Sequence, residues 1–148
     1  MAVQRIRPLA LCVFHRDGKI LVNEFYDAIK KERFFRPIGG GIEFGETSAQ
    51  AIIREVQEEL GLPITNIRLI GTLESIFIYN GNPGHEIVQV YDAQFEDVGV
   101  YELLYLNGQE SDGSAFTVRW HEISSFTSKS PLVPDGLYEL LKKAALLA

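Results

Sequence analysis

Residues 39 to 62 read GGGIEFGETSAQAIIREVQEELGL, with five glutamates in 24 positions. Thr47 with Gln50 three positions on is a capping-box signature, and Gly61 followed by Pro63 is a stop, so the spacing predicts a helix over 47–60. At about 100° per residue, Ala49, Ile52, Ile53, Val56 and Leu60 form one apolar stripe, and Glu55, Glu58 and Glu59 fall together at its border. Like charges at these spacings cost an isolated helix about 0.2–0.5 kcal/mol per pair. Glu46 can be explained by the helix dipole at the entrance. The other three lie toward the end where the dipole opposes them.

A hard divalent cation resolves that conflict, because Mg²⁺ takes oxygen ligands and keeps waters and substrate phosphates in its shell. It would also supply the positive charge that a chain of net charge −6 needs to meet an anionic substrate. Gly39, Gly40 and Gly41 allow close approach of backbone to a ligand. An acidic helix is most often a solvated face; the joint spacing is what sets this one apart.

Outward from the helix, LALCVF (9–14) and KILVNEFY (19–26) are strand formers around an Asp17-Gly18 turn, predicting a hairpin. A short strand is expected near Phe34 to Arg36, after a basic cluster of Lys30, Lys31, Arg33 and Arg36. Residues 67–80 and 85–96 read as two strands joined by the turn 81–84. The polar stretch NGQESDGS (107–114) reads as a loop before the strand AFTVRW, and DGLYELLKKAALLA (135–148) as a closing amphipathic helix with Leu137, Leu140, Leu141 and Ala144 on one face. The order β-β-β-α-β-β-β-α predicts a mixed sheet between helices, an α/β fold in a single domain over 1–148.

The stretch from Gly40 resembles a Nudix box: Gly40, Glu46, Arg54, Glu55, Val56, Glu58, Glu59, Gly61 and Leu62 match every fixed position of that family's pattern. The resemblance implies an α/β/α sandwich and a Mg²⁺- or Mn²⁺-dependent pyrophosphohydrolase, in which water attacks phosphorus in a nucleotide or nucleoside diphosphate derivative. It implies Glu55, Glu58 and Glu59 as metal ligands, with the Gly39 carbonyl as a further one, and Arg54 orienting a box glutamate. The general base stays open between the box residues Glu55 and Glu58 and the loop residues Glu110 and Asp112. A non-catalytic nucleotide-sensing module and a diphosphate isomerase are the alternatives on the same scaffold. The isomerase needs extra acid and base groups, commonly a cysteine, and Cys12 sits within a strand.

Substrate signals outside the box are thin. ADP-ribose hydrolases often carry a proline where this chain has Phe77 and Ile78, and the NADH and coenzyme A signatures are absent. Tyr79, 17 residues after Leu62, is similarly placed to a tyrosine of dinucleoside polyphosphate hydrolases. Phe34, Phe35 and Phe77 are candidates to stack a base, Lys30, Lys31, Arg33 and Arg36 to meet phosphates, and His85 and Glu86 to contact substrate. The three histidines have no cysteine partners, so no zinc pattern emerges. The acidic balance argues against a nucleic-acid polymer as partner. Cys12 as the only cysteine, with no apolar run of membrane-spanning length and no convincing leader, leads us to expect a cytoplasmic protein with no membrane partner. Many members of the family it resembles pair, so the resemblance adds a homodimer to the expectations.

Overall fold

Leu9 to Phe14 are buried without a break, which demands a strand covered on both faces. In the computed structural model, which describes residues 4–146, that strand is β1 (Ile6–Val13), lying between β5 (Ile38–Gly41) and β7 (Asn82–Phe95). It runs antiparallel to β5 and parallel to β7, and β6 (Ile64–Tyr79) completes the sheet in the order β5-β1-β7-β6. Alternate β1 side chains feed two cores. Ala10, Cys12 and Phe14 join Ile52, Val56 and Phe95 beneath helix α1 (Ser48–Leu60), while Leu9, Leu11 and Val13 join Val88, Val90, Leu137 and Leu141 beneath helix α2 (Leu137–Lys143). This is the expected α/β/α arrangement.

The expected hairpin is cut short. β2 is only His15–Arg16, and it turns through Asp17 and Gly18, both at positive φ, into β3 (Lys19–Asp27). β1 leaves for the other sheet because Phe14 is drawn into the core, its ring 3.9 Å from that of Phe95. The strands therefore form two sheets rather than one. The second contains β2, β3, β9 (Ala115–Glu122) and β8 (Tyr105–Gln109), with β4 (Glu32–Arg36) paired to β3.

Other boundaries move for identifiable reasons. The β6–β7 turn is the two-residue Asn80-Gly81, both with positive φ, in place of a four-residue 81–84 turn. Residues 107–109 belong to β8, whose Leu106 and Gly108 face inward between exposed polar neighbours; the loop is confined to 110–114. α2 stops at Lys143, shorter than expected, and positions 147–148 of that expectation lie outside the described residues.

Helix α1 begins and ends where its signals place it. Gln50 N–H donates to Thr47 Oγ1 at 3.1 Å, Thr47 N–H donates to Gln50 Oε1 at 2.8 Å, and Gly61 closes the helix in the left-handed region. Its roll differs from the periodicity reading. Ala51, Ile52 and Val56 are buried, whereas Ile53 is 47% exposed. At about 100° per residue this centres the inward arc between Glu55 and Glu59, so two carboxylates ride into the protein with the apolar side chains.

Candidate active site

Arg54 is the hub from which the acidic residues are arranged. Its Nη2 donates to Glu46 Oε1 at 2.6 Å and its Nε to Glu46 Oε2 at 3.1 Å, a two-pronged clamp of the kind guanidinium geometry favours. Nη2 also donates to the Gly41 carbonyl at 3.0 Å, tying the helix to the end of β5. Nη1 reaches Glu55 at 3.0 Å and Glu58 at 3.3 Å, and lies 3.6 Å from Glu43. Hydrogen bonds from Arg54 hold the Glu46 carboxyl below its usual range, and the carboxylates in turn push the guanidinium upward. Glu46, which helix-end stabilisation alone could explain, is thus the anchor of this arginine.

The carboxylates face a cavity of about 590 Å³ lined by Gly39, Gly40, Glu43, Arg54, Glu55, Glu58, Glu59 and Glu110 on one side and Arg7, Arg36 and Phe25 on another. Glu55 is 14% exposed at its side chain, Glu58 55%. A Cβ on Gly40 would stand 2.6 Å from the Glu55 carboxyl carbon, so a larger residue there would displace that carboxylate. Glu59 is pushed up to about 8, first by burial, then by the adjoining Glu55, then by Glu110. Among the described residues no three acidic or histidine side chains converge on one point; Arg54 draws Glu55 and Glu58 toward itself. Asp112, the second loop candidate, is occupied by the Ser114 amide at 2.8 Å and hydroxyl at 2.6 Å and lies outside this cavity.

A second cavity, about 330 Å³, shares Leu9 and Arg36 with the first. It is bounded by the inner face of the β6–β7 hairpin, by β4 and by residues 131–135, and its lining includes Lys30, Arg33, Phe34, Phe77 and Glu86. Cross-strand register sorts the candidates. Ser75 lies opposite Glu86 on the inner face, whereas His85 lies opposite Ile76 on the outer face and lines neither cavity. Tyr79 also lines neither, but its ring packs edge-on against Phe34 at 5.4 Å. Phe35 is core, packed on His121 and Phe126, and Lys31 is exposed at the β3–β4 turn. Ser75 carried no signal in the sequence, since only the pairing register turns it inward.

A family model described as the NUDIX domain matches residues 5–143. An NAD-capped RNA hydrolase, NudC, of Vibrio atlanticus is 37% identical over 68 residues, 46% of this chain and 24% of that protein. An RNA pyrophosphohydrolase of Hydrogenovibrio crunogenus is 31% identical over 87 residues, 59% of this chain and 51% of that protein. The matches thus span between about a quarter and a half of these curated relatives. Among solved structures, a MutT NUDIX hydrolase of Burkholderia pseudomallei aligns with a TM-score of 0.63 at 20% identity over 94% of this chain and 98% of that one. A NUDIX hydrolase of Nitrosomonas europaea aligns with a TM-score of 0.64 at 17% identity over 96% and 90%. At that identity the likeness is one of fold. With the family match running almost from end to end, and the carboxylate-bearing helix in place, the chain belongs to the Nudix family.

Proposed function

We propose that this chain hydrolyses a phosphoanhydride bond in a nucleotide or nucleoside diphosphate derivative, with water attacking phosphorus. The observation that carries this reading is the pair of crowded, partly buried carboxylates Glu55 and Glu59, with the exposed Glu110 across the same cavity. Such crowding is unfavourable in the protein alone and calls for a cation.

The donor set fits a hard divalent ion. Every candidate ligand is oxygen, Gly40 leaves the space beside Glu55, and the burial and crowding that push Glu59 upward are what a bound cation would offset. Glu55, Glu58 and Glu59, with the Gly39 carbonyl, are the groups that would hold Mg²⁺ or Mn²⁺. When bound, the ion polarises phosphoryl oxygens and lowers the pKa of water. Arg54 is a positioning residue: it fixes the direction of Glu55 while being anchored by Glu46. Arg36 and Arg7 bring positive charge to the opposite wall. Glu55, Glu58 and Glu110 are the carboxylates available to take a proton from the attacking water.

The isomerase alternative loses its cysteine. Cys12 is fully buried, and burial pushes its thiol well above the usual range. The sensing module differs from the hydrolase only in turnover, so turnover decides. Two relatives are named as hydrolases acting on RNA, which brings RNA 5′ ends into the range of substrates to be tried, beside the small nucleotides expected from charge. Among the described residues, no helix is long and apolar enough to cross a membrane.

The test is a panel of nucleoside triphosphates, nucleoside diphosphate sugars, dinucleoside polyphosphates, and capped and triphosphorylated RNA oligonucleotides, followed by mass spectrometry with Mg²⁺ present. At least one member is hydrolysed at a phosphoanhydride, and Glu58→Gln loses most of that rate without a fall in melting temperature. Full activity in Glu58→Gln would remove that residue from the site.

A further inference from the structure

Arg36 closes β4 and stands in the wall shared by the two cavities. Its Nε is sealed from solvent and has no hydrogen-bond partner. Its two Nη groups make no hydrogen bond or ion pair among the described residues either, although Glu55, Glu59 and Glu110 line the same cavity. Of the carboxylates that line these cavities, Glu86 is paired with Arg7 at 3.5 Å and Glu55 with Arg54 at 3.0 Å. What holds the Arg36 guanidinium is the ring of Phe25, 5.2 Å from it. Burial pushes the guanidinium downward, against the pull of Glu86 and Glu59. A cation that is stacked, desolvated and unpaired is costly in the protein alone, and an anion in the cavity completes it.

The anion's identity follows from the walls and rests on the hydrolase reading. With the attacked phosphorus against Glu55, Glu58 and Glu59, the part of the substrate that reaches Arg36 across the cavity is the neighbouring phosphate. We infer that Arg36 is a catalytic residue whose Nη groups meet the leaving group, whichever half of the substrate departs. In that step the water oxygen bonds to phosphorus and a carboxylate of the cavity takes the water's proton. The bond from phosphorus to the bridging oxygen breaks, and its electron pair stays on that oxygen. The departing phosphate thus gains one negative charge. A donor that waits unpaired beside it strengthens its contact as that charge develops, which is the condition for raising kcat rather than affinity alone. Phe25 is a positioning residue, since its ring fixes where the guanidinium lies.

The test compares two leaving groups on the full chain with Mg²⁺. One substrate is the best phosphoanhydride of the panel; the other is the p-nitrophenyl ester of the corresponding nucleoside 5′-monophosphate, whose nitrophenolate spreads its charge over its own ring. Arg36→Met loses about a hundredfold in kcat on the phosphoanhydride, the scale of one donor removed from a developing anion, and less than about threefold on the ester. Arg36→Lys, which restores the charge without the planar fork, recovers part of the loss. Phe25→Leu shows the same split at about tenfold, and it carries the comparison if the Arg36 variants fail to fold. In calorimetry with Mg²⁺, inorganic pyrophosphate binds Arg36→Met at least about tenfold more weakly than the wild type. An equal loss on both substrates, no loss on the phosphoanhydride, an ester that the wild type leaves intact, or an unchanged pyrophosphate affinity would overturn the inference. A wild type that turns over no phosphoanhydride sinks the hydrolase reading and this inference with it, a result distinct from each of these.

Discussion

The two cavities meet at Arg36 yet are built from the chain in opposite ways. The acidic cavity draws its carboxylates almost entirely from one short stretch, Gly39 to Glu59, with Glu110 added from the β8–β9 loop. The second gathers Leu9, Phe34, Ser75, Glu86 and Pro134 from segments far apart in sequence. The carboxylates of the first sit at three- and four-residue spacing on one helix, while the lining of the second depends on which strands are neighbours and in what register. Substitutions in the two cavities should accordingly separate rate from binding.

The largest effect belongs to the two partly buried carboxylates of the helix. Glu55→Gln and Glu59→Gln are each expected to lose at least about a hundredfold in kcat, the scale of removing one electrostatic contact to a transition state. Saturating Mg²⁺ should raise the melting temperature of the wild type by several degrees, as about 2.7 kcal/mol of binding energy at a hundred times Kd implies, and should fail to raise that of either variant. A Mg²⁺ shift that persists in both variants would place the cation elsewhere. Arg54→Lys follows, with about a ten- to hundredfold fall in kcat, the range for groups that orient a metal ligand. Lysine keeps the charge but cannot clamp Glu46 from two nitrogens while reaching Glu55. Retention of full rate would reduce Arg54 to a surface ion-pair partner.

A smaller effect separates the cavities through stability. The Asp27 carboxyl lies below its usual value, chiefly because the Lys30 amide donates to it, and it pins the β3–β4 and β6–β7 turns that frame the second cavity. Asp27→Asn should melt below the wild type at neutral pH and raise KM more than it lowers kcat. Since the folded group titrates below an unfolded aspartate, near about 3.9, its stabilisation is complete above that value and vanishes as pH falls through the folded one. The melting difference should therefore close as pH is lowered from about 5 toward 3; a constant difference would mean that the charge plays no part. The least effect is expected at Thr47→Ala, about 1 kcal/mol from the lost cap, visible as a few degrees in melting temperature with the substrate preferences unchanged.

The helix bounds, the capping box, the box residues and the long strand pair were legible in the sequence because each depends on neighbours a few residues away. The departures arise where tertiary packing decides. β5 hid among glycines, which read as loop, yet it pairs with β1, and a Cβ on Gly39 would collide with the Ala10 carbonyl of that neighbour. β8 hid beneath polar residues whose intervening positions face inward. Ile53 belongs to the apolar stripe by spacing but is turned outward, since the helix rolls to bring Glu55 and Glu59 in. Glu86 was visible as a candidate and Ser75 was not, although the two share one register pair. His85, next to Glu86 in sequence, points to the other face.

Hydrolysis in ¹⁸O-labelled water tests the central claim most directly, with the best substrate of the panel run on wild type and on Glu55→Gln, with Mg²⁺ and with excess chelator. The account predicts one ¹⁸O on a phosphorus-containing product from the wild type with Mg²⁺, and none above background with chelator or from the variant. Label on a sugar carbon, or the same rate of phosphorus labelling in Glu55→Gln, would contradict it.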